Sequence, residues 1–520
     1  MRNIYILFLA SNDLGVRRLV MPTGPLIVAA AIRKSPLFGR DDRVYICDTF
    51  REVLTVARRH SVDRVHFLVS SMQIIRGVNS ETNPALAYLK RLKKRFPGIV
   101  SCVGGPDVSL NPDDYRVEFD VVFQGELGSL DPVEILRSET PYFRAPPADL
   151  DAEPLDYECL AGRTYLSGSI QTSRGCPNAC DFCNIGHLYG RGVRTIDPDL
   201  LEERLESLAR VHRGFVIIGD DNFGCGLEEK MTEFLEVIVR FQERRGFPFL
   251  FAVQAPLRTS CFPEVLGLMR AANIAAAFIG VESPSEDALA AVRKGHNLGK
   301  PFGEQIGAFT RHGIMPYISL ILGLDREPGD IGERFKALLV ESRTPFLMLN
   351  LINPVTGSSF RRRVAAEGRL LDHPIYARHH LMTMKTSRPY AAVVGDYVGV
   401  LNWFFEDGRL IESCRQLENE THAGRNTRAM EAHVSNLPHF TVLKIVLVYI
   451  GLCLKTRSAR GFLEMFKRLG RPKAEVLYFL GIRGTALGIK AGMRVEIRMV
   501  AKGLQKLKAA RLYPYETPPV

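Results

Sequence analysis

The chain has no apolar run long enough to cross a bilayer, which takes ~20 residues. The candidate, FTVLKIVLVYIGLCL at residues 440–454, is about fifteen residues long and contains a lysine. It suits a buried or interfacial helix. Cysteine is too sparse for a disulfide scaffold: there are ten in 520 residues. Seven of them (Cys47, Cys102, Cys159, Cys225, Cys261, Cys414 and Cys453) stand singly, as small buried hydrophobes do, and a reducing, cytoplasmic setting is expected. Histidine is absent until His60. The N-terminal MRNIYILFLASNDLG has an apolar run with no small-residue cleavage site after it, so a strand is expected rather than a secretory signal. No RNA-binding motif accompanies the basic residues, so nucleic acid is not expected as a partner. What is present is an ordinary globular composition, 46% hydrophobic and 24% charged, long enough for roughly two to four domains.

The other three cysteines sit together in residues 167–194, SGSIQTSRGCPNACDFCNIGHLYGRGVR. Cys176, Cys180 and Cys183 are spaced C-x3-C-x2-C. A structural zinc usually takes four ligands, and no second cysteine pair or His-x3-His follows at a suitable distance. Three thiolates in a tight loop suit a cubane iron–sulfur cluster with one iron left open. Gly175 and Pro177 let the backbone wrap closely, and Phe182 covers the cluster from water. The stretch resembles the cluster loop of the radical S-adenosylmethionine (SAM) superfamily, whose signature is C-x3-C-x-aromatic-C; the flanking TSRGCP and YGRGVR match as well. The resemblance implies a 4Fe-4S cluster whose open iron chelates the amino and carboxylate groups of SAM. It also implies an electron, from a donor such as flavodoxin or ferredoxin, that breaks a carbon–sulfur bond and releases a 5′-deoxyadenosyl radical. The alternative is a shielded zinc loop or three unrelated cysteines.

Residues 1–138 alternate apolar strands (3–9, 44–46, 64–70, 99–103, 121–123) with helical runs (25–32, 84–95), the pattern of an open parallel sheet. Two strands end in Gly104-Gly105-Pro106 and Gln124-Gly125-Glu126, and ligands of such sheets bind beyond the carboxyl ends of strands. PTGPLIVAAAI, VGGPDVSLNPDDY and DVVFQGELG resemble the cobalamin-binding, Rossmann-type domain that precedes the SAM barrel in one branch of the superfamily. That resemblance assigns Gly104, Gly105, Gly125 and Glu126 to cofactor binding. Domains of this kind that bind cobalt through histidine carry D-x-H-x-x-G after the first strand. Here Asn12, Asp13, Leu14, Gly15 and Val16 stand there, so cobalamin is expected without a histidine ligand. The alternative is a relic domain that binds none. His60 and His66 are expected to be ordinary surface or strand-end histidines. Residues 139–165, rich in proline and acid, are expected to be a linker.

Residues 166–372 repeat strands (170–173, 215–219, 249–253, 276–281, 317–322, 346–351) and helices (198–210, 230–244, 262–272, 302–312). Polar groups recur at strand carboxyl ends, as in a barrel with its site on one rim. Six strands match the partial (β/α)6 TIM-type barrel of the resembled superfamily. Asp220 and Asp221 stand where that family places groups that hydrogen-bond the SAM amino group, a favourable carboxylate–ammonium pairing. Glu282, in FIGVESPSEDAL, matches a motif contacting SAM. Gln254 and Gly323, at other strand ends, complete the expected cofactor set. Helix capping is the plainer role for Asp221, Asn222 and Glu282. Arg174 and Arg194 flank the loop and either steady its charge or are solvated. No catalytic side chain is identified. NPVTGSSF, EGRLL, LYGR, DDNF and GVESP resemble a hopanoid-methylase-like branch over residues 100–372.

Residues 373–520 are expected to be helical. The chain's formal charge is +11, and residues 440–520 hold eight Lys, eight Arg and four Glu, so only this tail bears on polyanions. Basic residues mixed with Phe462, Met465, Phe466, Leu477 and Phe479 suit an anionic membrane surface; the alternative is a helical cap with a solvated basic face. With the resemblance, the sequence implies a cobalamin-dependent radical SAM C-methyltransferase acting on an unactivated carbon of a small, hydrophobic or natural-product substrate. It would be cytoplasmic, with peripheral membrane contact through the tail. In that family cobalamin carries a methyl group from one SAM, and a second SAM gives the radical that removes a substrate hydrogen. A radical SAM enzyme without cobalamin and a non-catalytic iron–sulfur scaffold are the alternatives. The intact motif and strand-end acids oppose the scaffold.

Overall fold

The computed structural model describes residues 3–10, 20–60, 64–71, 84–138, 140–224, 228–297, 301–371, 373, 375–376, 379–435, 439–456, 458, 463, 473–510 and 512. Residues 12–16, where a D-x-H-x-x-G motif would lie, and Cys225 fall outside them, as do Phe462, Met465 and Phe466.

Apolar segments such as NIYILFLA need cover on both faces, which a parallel sheet flanked by helices provides. Six strands form one such sheet: β1 (Asn3–Ala10), β2 (Arg43–Cys47), β3 (Arg64–Ser71), β4 (Val100–Gly104), β5 (Val121–Gln124) and β6 (Tyr142–Arg144), in the order β2-β1-β3-β4-β5-β6. Tyr5 and Leu7 of β1 join the core that includes Leu26, Ala29 and Ile32 of the helix Thr23–Lys34. Ile4, Ile6 and Phe8 face the opposite core with Val53, Phe67 and Leu89. The strand order reverses between β1 and β3, the switch point of doubly wound sheets.

The stretch 139–165 is more than a linker. Its β6 extends the sheet, pairing Tyr142 with Val122, and Phe143 stacks on Phe123 at 6.0 Å between ring centres. Three residues between prolines are too few to show a period, so only the pairing reveals them.

The second sheet is β7 (Ser167–Ile170), β10 (Gly214–Ile218), β11 (Phe249–Ala255), β12 (Ile274–Glu282), β13 (Met315–Leu322) and β14 (Leu347–Leu351), parallel and in chain order. Its first strand lies earlier than the expected 170–173. SGSI lacks apolar alternation because space is short: a Cβ on Gly168 would lie 3.0 Å from the His212 ring. Ser173–Arg174 (β8) instead pairs antiparallel with Arg194–Thr195 (β9). Along β13, Pro316, Ile318, Leu320 and Leu322 are buried, while Met315, Tyr317, Ser319 and Ile321 are half-buried. One face therefore packs under helices, and the other lines an accessible lumen. Both sheet edges, otherwise exposed to strand addition, are covered. Met21 N donates to Ser167 O at 3.1 Å beside β7, and the helix Tyr390–Phe404 packs on β14.

Among the described residues, the helices Asp407–Gly424, Thr427–Ser435, His439–Thr456 and Lys473–Ala509 follow. Tyr449 and Cys453 are buried near Phe479 and Leu480, where the last two helices pack together. The basic face is not wholly solvated: Arg483 Nε lies 2.9 Å from Glu418 Oε1, and Lys490 pairs with Asp407, both cations nearly fully buried. Among the described residues no helix is long and apolar enough to cross a membrane.

Candidate active site at the cluster loop

The cysteine loop leaves the barrel after β7 and returns at β9. At Gly175 the backbone has φ +98°, and a Cβ there would stand 2.6 Å from Gly192 O, so only glycine fits. The Gly175 N–H donates to Asp221 Oδ2 at 3.0 Å. Cys183 is exposed as a residue, but crowding around its sulfur pushes the thiol up to about 11, and the sulfurs of Cys180 and Cys176 add to it. Cys180 is likewise raised by burial and by Cys176. The three thiols therefore share one neighbourhood. Among the described residues no three His, Cys, Asp or Glu groups converge on a single ion. Asn222 Nδ2 lies 3.8 Å from Cys176 Sγ.

The arginines flanking the loop are not solvated. Arg174 makes a two-pronged contact with Glu153, both distances 2.9 Å, and its Nη1 is 3.5 Å from Glu126 Oε2. Arg194 grips the same Glu126 at 2.7 and 2.8 Å. Burial alone would raise the Glu126 carboxyl, but the Arg194 hydrogen bonds, the Arg174 charge and the Ala148 N–H hold it below the usual carboxylate range. Both oxygens of Glu126, a residue the resemblance assigns to cofactor binding, join the end of β5 to the cluster loop.

Asp220 is fully buried, accepting from Thr172 N (2.7 Å), Thr172 Oγ1 (2.5 Å) and Ser173 Oγ (2.6 Å), so it knits the loop's first residues to the end of β10. Asp221 is more accessible, and burial pushes its carboxyl up to about 6. The side chain of Gln254 is exposed on the lumen side of β11. Glu282 is not a helix cap, since Ser285 caps the helix Glu286–Ala291. It is buried at the end of β12 at φ +70°, bonded to Lys294 Nζ at 2.9 Å. Gly323 donates its N–H to Glu327 Oε1 at 2.9 Å in a turn at φ +96°. Among the glycines of the first sheet, Gly104 ends β4, Gly105 opens the short helix Pro106–Leu110, and Gly125 turns at φ +104° where a Cβ would strike Ala145 O.

Two groups were not legible beforehand. Lys294 belongs to no motif. Asp181, between the second and third cysteines, is gripped by Arg293 at 2.8 Å and Ser359 Oγ at 2.9 Å. A Gly175→Ala chain is expected to keep its helix content by circular dichroism while reconstituted iron falls from about four per chain to well under half of that. Wild-type iron uptake in that variant would show that the close approach to Gly192 does not matter.

Residues 170–331 match the model of the radical SAM superfamily, and residues 359–479 match a domain of unknown function (DUF4070). The hopanoid C-2 methylase of Rhodopseudomonas palustris is 34% identical over 280 residues, 52% of this chain and 53% of that one. An uncharacterized methyltransferase of Synechocystis is 29% identical over 335 residues, 62% of each chain. The chain therefore spans between 53% and 62% of the length of these relatives. Among solved structures, the cobalamin-dependent S-adenosylmethionine radical enzyme OxsB, with aqua-cobalamin and S-adenosylmethionine bound, covers 97% of this chain and 83% of its own, with TM-score 0.59 and 14% identity. At that identity the likeness speaks for the fold. The match to the radical SAM model thus begins at the end of β7 and takes in the cysteine loop, against which the N-terminal parallel sheet is docked through Glu126.

Proposed function

We propose that the protein is a cobalamin-dependent radical SAM methyltransferase acting on an apolar substrate. One observation carries this reading: the glycine-marked ends of β4 and β5 face the cluster loop. Glu126, just past β5, holds Arg194. Leu110, past β4, and His187 of the cluster loop both crowd Gly357. Ligands on such a sheet sit at these strand ends, so a corrinoid there would lie opposite whatever the cysteines hold. When bound, the cluster would supply one electron to SAM, and cobalamin a transferable methyl group.

The chain's own tasks are to bind, orient and exclude water. Cys176, Cys180 and Cys183 would hold the cluster. Asp221, Glu282 and Gln254 are the rim groups nearest in role to SAM binding. The lumen suits an apolar substrate: Phe278 and Tyr317 pack 4.7 Å apart between ring centres, with Ile321 on the same face of β13. The hopanoid named in the R. palustris relative belongs to that class of molecule and supports a polycyclic lipid here. A lower histidine ligand to cobalt has little support. The first 138 residues contain His60 and His66 alone. His66 is buried within β3 and stacked on Tyr5 at 4.8 Å, and His60 meets Tyr45 Oη at 2.9 Å.

Replacing any one of the three cysteines by alanine is expected to abolish reductive SAM cleavage. In the wild type, bound corrinoid in its Co(II) form is expected to show no nitrogen splitting from a protein imidazole in its paramagnetic resonance spectrum. Full cleavage in a cysteine variant would contradict the cluster assignment. An axial imidazole signal would contradict the missing ligand, and failure to bind corrinoid would leave a radical SAM enzyme of another type.

A lipid substrate also gives the tail a role. Leu447 and Leu454 are 58% and 71% exposed on the helix His439–Thr456, beside exposed Lys455. Arg498, Lys502 and Lys506 are exposed on the last helix. Each basic residue near an anionic leaflet contributes ~1 kcal/mol, so this surface supports peripheral membrane contact. The full chain is expected to sediment with anionic vesicles at low salt and to dissociate at high salt. A Leu447→Glu, Leu454→Glu double variant is expected to remain in the supernatant. A wild-type chain that ignores anionic vesicles at low salt would rule the contact out.

A further inference from the structure

Lys294 is a cation delivered to the cysteine loop from outside its motif. It follows the helix Glu286–Ala291, and three successive residues there grip the two that separate Cys180 from Cys183. Val292 O accepts from Asp181 N at 3.0 Å, and Arg293 Nε lies 2.8 Å from Asp181 Oδ1. Lys294 Nζ lies 5.8 Å from the centre of the Phe182 ring. The lysine side chain is 13% exposed and bonded to Glu282 at 2.9 Å. The local backbone is bent to permit this. Glu282 sits at φ +70°, where the register between β12 and β13 shifts. A Cβ on Gly280 would crowd the Glu282 carboxylate and lie 3.0 Å from Lys294 Nζ. Strain of this kind persists where the surroundings enforce it, and it gathers at functional sites.

We propose that Lys294 is a positioning residue for electron transfer: a fixed counter-charge beside the cysteine triad that raises the reduction potential of the cluster, with Glu282 as its tether. The inference rests on the cluster reading above. Reduction adds one electron, from an external one-electron donor protein of the flavin or iron–sulfur class. No proton moves, so the site becomes one charge more negative. A nearby cation, poorly screened by water, stabilises that reduced state more than the oxidised one.

The test compares reconstituted full-length wild type, Lys294→Met and Lys294→Arg, reading iron content and the reduced-cluster paramagnetic signal at set potentials. In K294M the reduced-to-oxidised ratio at a fixed potential is expected to fall about tenfold, ~59 mV for a one-electron couple, while K294R stays within about twofold of wild type. If K294M folds by circular dichroism but holds no cluster while K294R does, the lysine serves cluster assembly rather than the potential, and the proposal is overturned. It is overturned if K294M titrates like the wild type, if K294R shifts as far as K294M, or if both variants lose the cluster. A wild-type chain that takes up no cluster would instead overturn the parent reading, and this one with it.

Discussion

Two guanidinium groups and two carboxylates, largely shut off from water, hold the cluster loop to the N-terminal sheet. Arg174 and Arg194 face Glu126 and Glu153, and the four charges balance. Such a set need add little net stability, but removing one member strands a buried charge at a cost of ~3–5 kcal/mol. Its position matters more than its energy. Arg174 stands two residues before Cys176, so the first cysteine is placed by contacts made with segments outside the barrel.

The remaining anchors follow the same logic. Asp220 holds Thr172 and Ser173, Asp221 holds the Gly175 amide, and Arg293 and Ser359 hold Asp181. The acids nearest the cysteines are thus spent mostly on geometry, while the lumen beyond them is largely apolar. This division of labour suits a site that positions its reactants and keeps water out.

The sequence showed what is local or periodic. The C-x3-C-x2-C spacing, five of the six barrel strands and the glycine strand ends are visible because they depend on neighbours in the chain. What was missed depends on partners far away in sequence. The resemblance marks Glu126 as a cofactor residue but gives no hint of its ion pair, because its partner Arg194 is 68 residues on. Arg483 and Lys490 looked like part of a solvated face because their partners, Glu418 and Asp407, lie on another helix. Strand β6 was hidden by its length, and β7 by the small residues that tight packing demands. Lys294 left no local signal, since its importance comes from how the end of β12 bends.

The central claim is that three thiols hold a cluster whose fourth iron is open to SAM. The most direct measurement is the paramagnetic resonance spectrum of the reduced, reconstituted wild-type protein before and after adding SAM. Direct coordination at an open iron predicts a shifted signal on addition of SAM. A spectrum unchanged by saturating SAM, or iron uptake of a single ion per chain, would contradict it.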